Sequence, residues 1–252
     1  MNTYTKFLEN IRTLDFAFQP IVDIQTKEIY AVEALLRNVE KLGYETIQHF
    51  FDFIYQHHFL YAVDLVLREK AIKKFTQLEN HRSLKLFYNL DNRLLEMKDH
   101  ASGNTNVILE AHGIKKNALC FEVSERHEVT KGNTQVIHML EHYQREGFDL
   151  AIDDFGVGFS GFKLLYEFTP DVIKIDRFFL SDICSDPKKQ AIVKNIIQLA
   201  KDLGAKVIAE GIELKSELDT CIDLGCEYVQ GYLIQRPSCQ TGDIKTVYPI
   251  SV

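Results

Sequence analysis

Eight apolar runs of strand length recur along this chain, most of them separated by stretches with helical periodicity. The runs are 16–22 (FAFQPIV), 29–36, 84–90, 118–124, 149–155, 171–176, 206–211 and 228–232. Residues 50–78 are long enough for two helices. Residues 132–147 and 187–204 carry apolar side chains at i, i+3 and i+4, the mark of an amphipathic helix. Gly147 and Gly204 follow those two stretches as helix stop signals. Strands alternating with helices over 252 residues predict an α/β fold, a TIM-type (β/α)8 barrel. A doubly wound open sheet is the alternative.

Composition narrows the class. Apolar residues are 46% of the chain and charged residues 26%, too apolar for a disordered chain. No linker or composition step interrupts it, so residues 1–252 are expected to form one domain. No apolar run approaches about 18 residues, so no membrane span is expected. The opening residues MNTYTKFLENIRTLD lack the apolar core of a signal peptide, which predicts a cytoplasmic protein. Five cysteines (120, 184, 221, 226, 239) without a CxxC pair fit reduced thiols rather than a disulfide scaffold or zinc site. The balance of 29 Lys plus Arg against 36 Asp plus Glu, −7, argues against a binder of duplex nucleic acid.

The apolar runs end in polar residues. Glu122, Asp153, Asp154, Asp176 and Glu210 close runs, Asn89 closes another, Gln230 sits in the last and Glu33 interrupts the second. In parallel α/β folds the C-terminal strand ends form the active face. Period-2 alternation puts Asp153 on the face of Ala151 and Asp154 on the opposite one, so a regular strand cannot aim both the same way. Lys174 shares a face with Asp176, Glu210 with Ile208 and Glu33 with Arg37. Such a cluster of carboxylates repels itself unless protons or cations neutralise it. Oxygen donors without nearby Cys or His suit Mg²⁺ or Mn²⁺. Two such ions can hold a phosphodiester and activate water, with Lys174 orienting the water or balancing charge.

Other motifs carry less. Residues 156–161 spell GxGxxG, but Asp153 and Asp154 would repel a pyrophosphate there, leaving a glycine-rich strand-to-helix loop that could act as a lid. DFG at 154–156 stands without the other kinase motifs, and no GxSxG occurs. His57 and His58 read as helix surface, and Cys221 and Cys226 as small apolar groups.

The ordered motifs resemble a known family. EALLR at 33–37 is the signature of EAL domains, phosphodiesterases of the second messenger cyclic di-GMP. YNL at 88–90, EVSE at 122–125, DDFG at 153–156, KID at 174–176, AEGIE at 209–213 and QGY at 230–232 extend the likeness from Gln19 to Tyr232. The resemblance implies a barrel whose first strand runs antiparallel, and metal-dependent hydrolysis of cyclic di-GMP to linear pGpG. It implies Glu33, Asn89, Glu122 and Asp153 as metal ligands, Asp153 and Asp154 near a second ion, and Glu210 at the metal-water site. Lys174 would handle the attacking water, with Gln230 and Glu213 required around it. Gln19, Leu36, Arg37 and Asp176 would touch substrate, and Glu125 would anchor the glycine-rich loop. A homodimer is implied too. A slow cyclic di-GMP receptor or protein-interaction module is the alternative. Two departures stand out. Asn38 replaces the usual Trp, and Val157, Phe159 and Gly161 replace Thr, Tyr and Ser in the loop. No fused sensory or cyclase domain is expected within these 252 residues, so regulation is expected from a partner, dimerisation or expression.

Overall fold

The computed structural model describes residues 11–97, 101, 103–124, 133–158 and 161–250. Strands β1 (Asp15–Asp23) and β2 (Ile29–Arg37) form an antiparallel hairpin. Residues 24–28 between them are too few for the crossover that a parallel pair needs. Asp23 Oδ1 holds the turn by accepting from the backbone N–H of Gln25 and Thr26 at 2.8 and 2.9 Å. Strands β3 (Lys85–Asn89), β4 (Leu119–Ser124), β5 (Asp149–Phe155), β6 (Val172–Ile175), β7 (Lys206–Ala209) and β8 (Tyr228–Val229) follow in parallel. β8 pairs antiparallel with β1 and closes the barrel. The expected barrel and its reversed first strand are both present, and the open sheet is excluded.

The inside of the barrel has two layers. Ile21, Ala31, Phe87, Cys120, Ala151, Val172 and Ile208 pack together as an apolar floor. Two residues further along each parallel strand or its extension come Glu33, Asn89, Glu122, Asp153, Lys174 and Glu210. Gln230 stands two beyond Tyr228, which packs against the floor. On antiparallel β1 the order inverts, and Gln19 precedes Ile21. The period-2 pleat therefore lifts one polar side chain per strand to the same end.

Helices cover the barrel. α1 (Ile47–Gln56) and α2 (Leu60–Phe75) divide the stretch read as two helices. Thr46 Oγ1 caps α1 by accepting from His49 N at 3.0 Å. α3 (Asn104–His112), α4 (Asn133–Glu146), α5 (Gly161–Glu167) and α6 (Arg177–Leu180) lead to α7 (Pro187–Leu203) and α8 (Lys215–Leu224). Asp186 caps α7 with Pro187 in its first turn, and Gly204 at φ 76° stops it, as the sequence stop signal predicts. The larger core lies between strands and helices, where Phe50, Phe75, Phe121, Leu150, Ile173 and Val193 are buried. His57 and His58 are exposed, and the ring of His57 stacks on Phe53. Cys221 and Cys226 are buried around the end of α8. Among the described residues no helix is long and apolar enough to cross a membrane.

Candidate active site

Lys174 is the centre of the polar layer. Its side chain is 1% exposed, and its ammonium meets four carboxylates. It touches Glu122 Oε1, with Glu210 Oε1 at 2.6 Å, Asp153 Oδ1 at 3.1 Å and Glu33 Oε2 at 3.4 Å. Amides fill the gaps. Gln230 Nε2 donates to Glu33 Oε2 at 2.6 Å and to Gln19 Oε1 at 3.3 Å. Asn89 Nδ2 donates to Glu33 Oε1 and Glu122 Oε2, each at 3.2 Å. Gln19 Nε2 donates to the carbonyl of Gln235 at 3.2 Å.

One ammonium cannot neutralise four carboxylates. Burial, then the charges of Glu33 and Asp153, push the Glu122 carboxyl well up against the pull of Lys174. Burial does the same to Glu210, with Asp153 and Glu33 adding to it. Burial alone would lower Lys174, but Asp153, Glu122, Glu210 and Glu33 outweigh it and hold the proton on. Glu122 Oε1 and Asp153 Oδ1 are buried oxygens that receive no hydrogen bond among the described residues, despite their ionic contact with Lys174. Excess acceptors without donors, all of them oxygen, fit hard divalent cations.

Asp154 corrects the strand-parity reading. The β5–β6 pairing shifts register between Ile152 and Phe155, and Asp154 sits at φ 56°. This left-handed residue, a conformation Asp tolerates better than most, breaks the alternation. Carboxylate oxygens of Asp153, Asp154 and Glu210 consequently lie within 4.8 Å of one another. The pair that a regular strand would separate becomes convergent.

Other candidates stand at the rim. Leu36 and Asn89 border a cleft of about 210 Å³ that also touches Leu35, Tyr88 and Ser124. Arg37 closes β2, with Nη1 donating to the carbonyl of Leu36 at 2.9 Å. Asp176 is the N-cap of α6 and accepts from Phe178 N at 2.7 Å. Glu213 is outside the Lys174 cluster and pairs with Arg177 Nη2 at 2.9 Å. Glu125 lies outside the described residues.

Sequence reasoning passed over Arg177, which also donates to the carbonyl of Gly211. Only its place directly after Asp176 hinted at a rim role. Gly231 of the QGY motif has a steric role that the motif alone does not show. A Cβ there would stand 2.1 Å from the carbonyl oxygen of Ile212, so only glycine lets the chain beyond β8 pass the segment after Glu210.

A barrel of this topology with an oxygen-only acidic mouth defines a class of protein with known relatives. The EAL domain family model matches residues 3–237, and the chain belongs to that family. It is 34% identical over 232 residues to a protein named probable cyclic di-GMP phosphodiesterase PdeI from Escherichia coli K12. That alignment takes in 90% of this chain and 29% of PdeI, so the chain spans under a third of that relative. The EAL enzyme Bd1971, solved with cAMP and cyclic di-GMP bound, superposes with a TM-score of 0.80 at 28% identity, covering 95% of this chain and 66% of that one. BlrP1 of Klebsiella pneumoniae, in a manganese and cyclic di-GMP complex, gives a TM-score of 0.75 at 32% identity, over 89% of this chain and 56% of that one.

Proposed function

We propose that residues 1–252 act as one EAL-type domain that hydrolyses cyclic di-GMP to linear pGpG with Mg²⁺ or Mn²⁺, two ions in the active complex. The observation that carries this is the Lys174 ammonium enclosed by Glu33, Glu122, Asp153 and Glu210 at the barrel mouth. Glu33, Asn89, Glu122 and Asp153 would hold one ion, and Asp153 and Asp154, with Glu210, the other. When bound, the ions would neutralise the scissile phosphate and lower the pKa of water beside it. Lys174, kept protonated, orients that water through its N–H donors. Gln230 braces Glu33, Gln19 holds Gln230 and contacts substrate, and Glu213 acts from the rim. Leu36, Arg37 and Asp176 contact substrate, with the Arg37 guanidinium facing a phosphate.

A homodimer in the cytoplasm completes the proposal. An apolar groove lined by Phe155, Phe162, Phe179, Ile192, Ile196 and Leu199 runs past Gly156, and Phe162 is 69% exposed. A second copy is the occupant this reading assigns to it, and a regulatory protein would act there or at the rim.

The test is chromatography of cyclic di-GMP incubated with purified protein and Mg²⁺, with Glu33→Ala as control. The expected result is pGpG from the wild type alone. Unchanged turnover in Glu33→Ala would remove Glu33 from the ligand set. Binding without turnover by the wild type would make the chain a receptor.

A further inference from the structure

An ion pair lies buried behind the barrel wall, away from the reacting groups. Asp64 and Arg68, one turn apart on α2, are each 1% exposed. Arg68 Nη2 pairs with Asp64 Oδ2, and Nη1 donates to Thr105 Oγ1 on α3. The other Asp64 oxygen, Oδ1, accepts the Tyr88 hydroxyl at 3.0 Å. The guanidinium carbon stands 4.9 Å from the ring centre of Phe121 and 5.7 Å from that of Tyr88. A buried pair of this kind adds little net stability over an apolar replacement. What it touches is therefore more informative than what it contributes to stability.

Tyr88 and Phe121 are register partners on β3 and β4, and each immediately precedes a candidate ligand. The next pair in register is Asn89 and Glu122, whose side chains point inward and meet through the 3.2 Å hydrogen bond. The outer faces of two neighbouring strands are thus gripped at the residues that set the direction of Asn89 and Glu122.

Resting on the metal-site reading above, we propose that Asp64 and Arg68 are positioning residues. Through the Tyr88 hydroxyl and the Tyr88 and Phe121 rings, they hold the ends of β3 and β4 so that Asn89 and Glu122 stay aimed at one cation. The pair touches neither metal nor substrate. Losing a partner hydrogen-bonded directly to a ligand weakens metal binding by about 10–100-fold, and support acting one residue further out is expected at the lower end of that range.

The test titrates the metal-free full chain with Mn²⁺ and follows free Mn²⁺ by electron paramagnetic resonance. Tyr88→Phe removes one hydroxyl and keeps the ring. It is expected to bind Mn²⁺ about tenfold more weakly than wild type. Arg68→Lys, which keeps the charge but loses the planar stacking, should do the same and serves if the first variant does not fold. Val193→Ala, which opens a cavity under α7, should melt at a lower temperature yet bind Mn²⁺ as the wild type does. A lower melting temperature with unchanged Mn²⁺ affinity in Tyr88→Phe and Arg68→Lys would overturn the proposal. So would an equal loss of affinity in Val193→Ala. A wild type that binds no Mn²⁺ would instead sink the metal site itself, and this inference with it.

Discussion

The floor and the mouth of this barrel are two residues apart on the same strands, yet they solve opposite problems. The floor packs Phe87, Val172 and Ile208 against one another, and each added contact favours the folded state. The mouth packs Glu122 and Lys174 just as deeply but leaves carboxylates in excess over ammonium. Rigid apolar packing below holds repelling charges above in one geometry. The lower layer stabilises the barrel, and the upper layer stores negative charge that a divalent cation can neutralise.

The sharpest way to break this contrast is Lys174→Met. On the proposed mechanism it removes the group that orients water, and turnover should fall by about 10²–10⁴-fold. Melting measured in EDTA should fall as well, because the carboxylates lose the ammonium that all four contact. Turnover within tenfold of wild type would show that the buried ammonium is only a structural counter-ion.

The floor should answer the other way. Phe87→Ala removes a fully buried ring and should cost about 3–5 kcal/mol in chemical denaturation. The KM of the surviving folded enzyme should stay close to wild type. A large rise in KM with little loss of stability would mean the floor shapes the substrate site directly.

Glu122→Gln tests the stored repulsion itself. The amide keeps the shape and removes one negative charge, while Lys174 retains three carboxylates. We expect the metal-free protein to gain about 1 kcal/mol, or roughly 2–4 °C in Tm, and to lose activity. A less stable metal-free variant would mean the mouth is already balanced without metal.

Much of this contrast is legible in the sequence. An apolar residue followed two places on by a polar one recurs as Ala31 and Glu33, Cys120 and Glu122, Val172 and Lys174, Ile208 and Glu210. The reversal of β1 is legible only through the family resemblance, and the inverted order of Gln19 and Ile21 gains its meaning from the antiparallel register. What stayed hidden is what no period encodes. The convergence of Asp153 and Asp154 depends on one left-handed residue at a register shift. α5 and α6 are too short for a helical stripe to show, and tertiary contacts set them. The grip of Arg68 on Tyr88 and Phe121 joins three elements distant in sequence. Glu213 reads as one more acid in the AEGIE run, and only the fold turns it toward Arg177.

Glu217 gives an effect of similar size and opposite sign, and the cleanest control on the charge argument. Like Glu122 it is a carboxylate with almost no exposure, at 2%. Its neighbours differ. Glu217 Oε2 accepts from the backbone N–H of Glu213 at 2.9 Å and of Leu214 at 3.0 Å, and Oε1 from Asp182 N at 3.2 Å. Burial alone would raise its pKa, but these three donors and Arg177 outweigh burial and hold the carboxyl below its usual value. A depressed folded pKa stabilises the protein above the unfolded value of about 4.3, and that stability is lost as pH falls through the folded pKa. Glu217→Gln should therefore cost about 1 kcal/mol at pH 7, as the loss of a helix cap does. The gap between variant and wild type should close as the pH is lowered below 4.3. Denaturation curves from pH 7 to pH 3 measure it. A gap that stays constant over that range would show that Glu217 acts through packing. Burial, not donor count, would then have to explain why the two carboxylates differ.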